Sequence, residues 1–189
     1  MNIKSRFYNR YFGPRGLITA IRISLHREHT GTALALISAT IESMAYLSLP
    51  ENCDVLRDYD FVAWVKKYLH PERMGISPRE LWTLRCALLH GHIAQQTDTT
   101  GLKPREILFA WGGYSIFEGM KLRPGSRWYR IMTIRASELY KALAMGAEDF
   151  GRIYVGNEAN SRIVGIRLNK IFTSRMADET DETDESDDE

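Results

Sequence analysis

The sequence predicts a mainly α-helical protein, a helical bundle with a small β-hairpin insertion after its best-defined helix. Apolar residues recur at helical spacing through most of the chain, which is typical of helices that share one core. One stretch, "EILFAWGGYSIFEGM", instead has β-prone residues on both sides of a Gly-Gly pair, which favours a hairpin. A length of 189 residues with 44% hydrophobic content is enough for one sizeable core.

Three segments are expected along the chain. Residues 1–16 form a basic and aromatic N-terminal segment. Residues 17–176 form the helical domain, with a β excursion at about 106–122. Residues 177–189 form an acidic tail that is too polar to fold on its own, so we expect it to be disordered.

Charge divides unevenly between this tail and the rest of the chain. Residues 178–189 hold 9 of the 24 acids and no base, so the remainder has 25 bases against 15 acids. A body with this excess of positive charge attracts polyanions, so RNA or DNA is a predicted partner. The tail either competes for that surface, contacts a basic protein partner, or serves only as a solvated tail.

The segment "SRFYNRYFGPR", residues 5–15, alternates basic and aromatic side chains. Such interleaving suits single-stranded nucleic acid, because bases stack on rings while phosphates pair with cations. Arg6, Arg10 and Arg15 are then the predicted RNA contacts. The alternative is an amphipathic terminus whose rings dock on the core.

Helical periodicity predicts the next elements in order. A helical pattern runs over residues 17–49, with an interruption near residues 29–31, and Pro50 ends it. A further helix ends before Pro71. Beyond the hairpin, residues 126–150 return to a helical pattern. The last stretch, "RIYVGNEANSRIVGIRLNKIF", is compatible with short strands or with a final helix.

The helix from about Pro78 to His90 has the clearest boundaries in the chain. Ser77 is a good N-cap, Glu80 three residues later completes a capping box, and proline is favoured at the first helical position. Gly91 is suited to the position just beyond the end.

Arg85 falls inside the apolar stripe of this helix. On an ideal wheel it lies about 40° from Leu81, whereas His90 lies about 180° from Leu81, on the opposite side. A guanidinium in an apolar stripe is costly unless it is paired or opens onto a cleft. Glu42 is the best candidate partner, because it borders the apolar stripe of its own helix.

The stretch "LWTLRCALLHG", preceded by "ALALISATIESMAYL" and "FVAWVKKYL", resembles the HEPN (higher eukaryotes and prokaryotes nucleotide-binding) superfamily over roughly residues 20–150. The resemblance implies an antiparallel bundle with an Arg–x(4–6)–His motif at the end of a long helix. Arg85 then matches the motif arginine and His90 the motif histidine, and His92 satisfies the longer spacing. Cys86 departs from the family, whose active members usually carry a polar residue there, often asparagine.

For function, the resemblance implies a metal-independent endoribonuclease in a defence, toxin–antitoxin or stress role. Family members often act as dimers that pair two motifs in one cleft, so we expect a homodimer, with an antitoxin as a further candidate protein partner. Arg85 and His90 would be catalytic, with Glu42, Cys86 and His92 in support. Arg22 and His29 also satisfy the motif spacing.

The alternative is a catalytically inactive HEPN-like module that binds RNA, a nucleotide or a protein partner. Cys86 favours this interpretation. Arg85 would then be a structural residue paired with Glu42, and His90 a cation favoured by the dipole at the helix C-terminus.

The remaining sequence features indicate no cofactor and no metal site. Cys53 and Cys86 lie far apart without a second Cys/His pair, and two cysteines are too few for a disulfide framework. No apolar run reaches the length of a membrane span, and the N-terminus has no apolar region typical of a secretory signal. We therefore expect a cytoplasmic protein without membrane contact.

Overall fold

The computed structural model describes residues 2–90, 106–110 and 131–172, and this part of the chain is mainly α-helical, as the sequence predicts. The helices are α1 (Ile3–Phe12), α2 (Leu17–His26), α3 (Thr30–Leu47), α4 (Asp58–Tyr68), α5 (Pro78–His90), α6 (Ala136–Phe150) and α7 (Glu158–Phe172). The strands are β1 (Glu106–Ala110) and β2 (Ile131–Arg135). A short 3-10 helix occupies Pro71–Met74 and a π-helical turn occupies Gly151–Val155.

Helix α3 lies at the centre of the bundle and packs against α2, α4, α5, α6 and α7. Its sequence, "TGTALALISATIESMAYL", is apolar on nearly every face, which is the pattern of a helix surrounded by other helices. Glu42 is the one acidic or basic side chain in α3, so it is the exception that needs a partner.

Two predicted breaks are present, the one between α2 and α3 and the one after α4. Helix α2 ends at His26 and α3 begins at Thr30, which confirms the predicted interruption. Glu28 there has a positive φ of 59°, a conformation that no residue adopts inside an α-helix. Pro50 follows the end of α3, and α4 ends ahead of Pro71 as predicted.

Helix α1 docks its aromatic rings on the core. Phe7 and Tyr11 are fully buried, with ring centroids 4.7 Å apart, and α1 packs on α2, α7 and the π-helical turn. The Tyr11 hydroxyl lies 2.8 Å from Oγ of Ser43, and burial raises the pKa of this tyrosine. These two rings are therefore not accessible for stacking on nucleic acid bases.

The prediction of helix over residues 126–150 is wrong at Ile131–Arg135, which is strand β2 and pairs in parallel with β1. The β-branched residues Ile131, Thr133 and Ile134 suit a strand, and a pairing partner from elsewhere in the chain decided the outcome. The described strand β1 begins where the predicted hairpin begins, but the hairpin's Gly-Gly turn and second arm lie outside the described residues.

The last described segment is helical, which settles the choice between strands and a final helix. The π-helical turn at Gly151–Val155 continues α6, and α7 follows. The acidic tail lies outside the described residues. Within the described chain, no helix combines the length and the apolar character needed to cross a membrane.

Candidate functional site

The start of α5 is fixed by the predicted capping box. The backbone N–H of Glu80 donates to Oγ of Ser77 at 3.2 Å, and the backbone N–H of Ser77 donates to the Glu80 carboxylate at 2.8 Å. Helix α5 then runs over the predicted range, Pro78–His90. Because the cap fixes where the first turn begins, it also sets the direction in which the Arg85 side chain points two turns later.

Arg85 points at the central helix, where Glu42 accepts two of its hydrogen bonds. Nε of Arg85 lies 3.0 Å from Oε2 of Glu42, and a terminal nitrogen bonds to Oε1. This is a bidentate arrangement, the strongest geometry available to an arginine and a carboxylate. The pairing with Glu42 that the sequence predicts is present.

The surroundings of Arg85 are both apolar and polar. Its guanidinium carbon lies 4.8 Å from the centroid of the Trp82 ring, and a terminal nitrogen lies 3.8 Å from Sγ of Cys86. Burial lowers the pKa of Arg85, but its hydrogen bonds and attraction to Glu42 outweigh this effect, so the pKa is raised overall. Arg85 therefore remains a cation at any pH at which the protein is folded.

Arg85 is not sealed from solvent. Its side chain is 11% exposed and that of Glu42 is 30% exposed. An arginine has five N–H donors, of which Glu42 and Cys86 engage three, so each terminal nitrogen keeps one donor uncommitted within the described chain. An ordered, cationic fork with spare donors can bind a phosphate or carboxylate oxygen.

The structure brings the side chains of Arg85, Glu42 and Cys86 together. His90 is the last residue of α5, and the position of its side chain is outside what the structure describes. On an ideal helix, His90 lies about 140° around the axis from Arg85. His92 lies outside the described residues.

The second Arg/His pair with motif spacing has a different setting. Arg22 lies within α2, whereas His29 precedes α3 as its N-cap residue, so the pair spans the break between two helices. Both residues are exposed. Of the two pairs, Arg85 and His90 alone lie on a single helix.

The arginines predicted to contact RNA lie on or near α1. Arg6 and Arg10 are within this helix and Arg15 follows it, at the side of the bundle where α1 packs on α2 and α7. A terminal nitrogen of Arg6 donates to Oδ1 of Asn169 on α7. Helix α5, in contrast, packs on α3 and α4.

Arg167 on α7 is a buried arginine that sequence reasoning missed. It is fully buried, and it donates to the backbone carbonyls of Leu49, Pro50 at 2.7 Å and Cys53 at 2.8 Å. The available signal was the one that identified Arg85, because Arg167 lies between the buried apolar residues Val164 and Leu168 of its helix.

The described residues contain no cluster of three or more histidine, cysteine, aspartate or glutamate side chains placed to hold a metal ion. Cys53 and Cys86 are both free thiols. Comparisons of this chain with protein-family models, with curated proteins and with solved structures find no match.

Proposed function

We propose that this protein is a metal-independent endoribonuclease of the HEPN type, with Arg85 and His90 as its catalytic residues. One observation carries the proposal: a bidentate carboxylate orients Arg85 in an apolar helix face, while N–H donors on its terminal nitrogens stay uncommitted within the described chain. These uncommitted donors are available to the oxygens of a bound phosphate. The same helix carries His90 at the motif spacing.

Cleavage of RNA by this route requires proton transfer and stabilisation of negative charge on the phosphate. The 2′-hydroxyl of RNA attacks the adjacent phosphate, so a proton must leave the hydroxyl and another must reach the departing 5′-oxygen. Histidine titrates near neutral pH and can move these protons, for about 10²–10⁴-fold acceleration. Arg85 would stabilise the additional negative charge on the phosphate oxygens through its free N–H groups.

A homodimer would complete this site. One histidine cannot act as base and acid in the same step, so a two-fold arrangement that supplies two His90 side chains satisfies both roles. It would also bring Arg85 and His90 of neighbouring helices to one groove, although an ideal helix separates the two positions by about 140°. On this proposal the helical bundle is of the antiparallel HEPN type, with the predicted hairpin after α5.

The positive body of the chain would bring RNA to this groove, with Arg6, Arg10 and Arg15 as further phosphate contacts. A cytoplasmic role in defence, in a toxin–antitoxin pair or in stress follows from the family resemblance. An antitoxin would then be the protein partner that restrains the activity.

A catalytically inactive RNA-binding module is the second candidate. The observation that favours it is the contact of Arg85 with Cys86, at the position where active family members usually carry a polar residue. A thiol is a weak hydrogen-bond partner, so it orients the arginine less strongly than an amide would.

Cleavage of RNA in the presence of EDTA tests the proposal directly. Wild-type protein is expected to cut a labelled single-stranded RNA and to leave 2′,3′-cyclic phosphate ends. Arg85→Ala and His90→Ala are each expected to lower the cleavage rate by at least about 100-fold, because each removes a group that acts on the reacting phosphate.

Arg22→Ala and His29→Ala are the matched controls, because this pair has the motif spacing without a shared helix. Both controls should cleave at the wild-type rate. Saturable RNA binding without cleavage would favour the inactive module instead. Equal cleavage by the wild type, Arg85→Ala and His90→Ala would show that the two residues are not catalytic.

A further inference from the structure

Helices α1 and α2, with the turn between them, carry positive charge only. Residues 2–27 contain six lysine and arginine side chains and no acid. Arg6 is partly exposed and the other five are exposed. Four of the exposed ones form no ion pair with a described carboxylate, namely Lys4, Arg15, Arg22 and Arg27. An anionic ligand at this surface therefore meets no negative side chain on the two helices themselves.

Helix α7 lies along α1 and runs in the same direction. The side chain of Ile3 lies against Gly165, so closely that a Cβ atom at the glycine would come within 2.7 Å of it. Three residues later in α1, Arg6 donates to Oδ1 of Asn169, which is four residues later in α7. Because the two positions advance together, the end of α7 lies beside α1, about one turn beyond Arg6.

Arg6 and Arg10 lie on the flank of α1 that faces α7. They are four residues apart, so they project from one side of the helix. Two acids approach α1 on another side, at Tyr8, where burial and the charges of Glu148 and Asp149 raise the pKa of the tyrosine. On an ideal helix, Tyr8 lies about 160° around the axis from both arginines. The arginine flank is therefore separate from these acids.

The basic side chains of α7 are engaged elsewhere. Arg162 pairs with Glu51, and Lys170 pairs with Asp54 at 3.1 Å. The third, Arg167, is fully buried. An acidic segment that follows α7 therefore meets the arginines of α1 as its neighbouring cations.

The acidic tail carries the complementary charge and is attached within reach. Residues 178–189 hold nine acids and no base. Asp178 follows Phe172, the last residue of α7, by six positions, which span at most about 20 Å. Helix α1 is only about 15 Å long. A tethered ligand acts at a local concentration of about a millimolar, so ion pairs that are individually weak can together hold the tail.

We infer that residues 178–189 bind to the face of α1 that carries Arg6 and Arg10, with Arg15 just beyond it, and that they compete there with other polyanions. The contact is intramolecular and electrostatic, so salt weakens it. The part of this inference that concerns RNA rests on the proposed function, in which the same three arginines contact phosphates. In that case the tail occupies the RNA-binding surface until RNA displaces it.

Nuclear magnetic resonance of the full-length protein tests the contact in the absence of RNA. The readout is the set of backbone amide signals of residues 178–189, and the reference is a free peptide of the same sequence. At low salt, the wild-type signals should differ from those of the peptide. The double variant Arg6→Gln/Arg10→Gln should move them most of the way to the peptide positions. Salt at about 0.5 M should do the same in the wild type, without any substitution.

Lys66→Gln/Lys67→Gln is the matched control, because it removes two exposed cations from α4 and leaves α1 unchanged. Its tail signals should stay at the wild-type positions. Wild-type signals that coincide with those of the peptide would overturn the inference, because the tail would then be surrounded by solvent. An equal displacement in both double variants would also overturn it, because the tail would then respond to net charge alone.

The Kd for a single-stranded RNA tests the competition. Changing the nine acids of residues 178–189 to Asn and Gln should lower this Kd about tenfold at low salt, because the competing segment is lost. In the Arg6→Gln/Arg10→Gln background the same change should have little effect. An equal gain in both backgrounds would contradict competition at α1. A tail that contacts α1 without any gain in RNA affinity would confirm the contact and exclude these arginines as the phosphate contacts of the proposed function.

Discussion

Arg85 and Arg167 both lie in apolar faces of helices, yet the protein satisfies their charges in different ways. Arg85 is paired with the carboxylate of Glu42 and is 11% exposed. Arg167 is fully buried and donates to three backbone carbonyls of the segment between α3 and α4. One arginine therefore forms an ion pair near solvent, and the other joins two distant parts of the chain.

The two arginines also differ in how accessible they are to a ligand. The carbonyls surround Arg167 so closely that no solvent or ligand reaches it, and its role is to hold the loop against α7. Arg85 is oriented by a single carboxylate, and 11% of its side-chain surface stays exposed. The two arginines thus differ in the kind of partner and in the remaining access to solvent, and of the two Arg85 is the candidate to bind a ligand.

The largest expected effect is that of Arg167→Met. This change keeps the bulk of the side chain but leaves the carbonyls of Leu49, Pro50 and Cys53 without their donor. We expect the free energy of unfolding to fall by about 3 kcal/mol, measured by urea denaturation.

Arg162→Met is the control for this substitution. Arg162 lies on the same helix, but its side chain is 72% exposed where it pairs with Glu51. Removing it should have little effect on stability, because exposed ion pairs contribute little. Equal losses in both variants would mean that the carbonyl contacts of Arg167 add nothing.

A smaller effect is expected for the pair of Arg85 and Glu42. Arg85→Met should lower the free energy of unfolding by about 2 kcal/mol, because the remaining carboxylate is partly hydrated. A double-mutant cycle with Glu42→Gln should give a coupling energy of about 1 kcal/mol. A coupling energy near zero would show that the two side chains do not interact in solution.

The smallest effect is expected for a third arginine, Arg79, whose pair with Asp58 is about one third exposed. The hydrogen bond from Arg79 lowers the pKa of the Asp58 carboxyl below its ordinary value of 3.8, against the opposing effect of burial. Because the folded-state pKa is the lower one, the stabilisation is present above pH 3.8 and is lost as the pH falls through the folded-state value.

Asp58→Asn should therefore cost only about 0.5 kcal/mol at pH 7, since solvent screens this pair. Urea denaturation of wild type and variant at about pH 7 and about pH 2.5 measures the difference. The gap between them should close at the acid pH. A gap that is the same at both values would contradict a lowered pKa for Asp58.

Sequence reasoning predicted the features that depend on local patterns. The limits of α5 follow from the Ser77–Glu80 cap, and the break before α3 follows from the interrupted periodicity. Glu42 was predicted opposite Arg85 because Arg85 lies inside the apolar stripe of its helix and Glu42 borders that of its own, and two helices that pack on one core bring such stripes face to face. The role of His90 stays a prediction.

What the sequence by itself determined is both limits of α5, the break between α2 and α3 and the end of α4, because caps, prolines and periodicity act over a few neighbouring residues. Only the tertiary structure decided that Ile131–Arg135 forms a strand beside β1, that Phe7 and Tyr11 are buried, and that Arg167 holds the segment before α4. These outcomes depend on contacts between residues far apart in the chain, such as Arg167 and Pro50, which are 117 positions apart. The free energy of such contacts comes from packing and desolvation in the folded chain, so a pattern within a few neighbouring residues does not predict them.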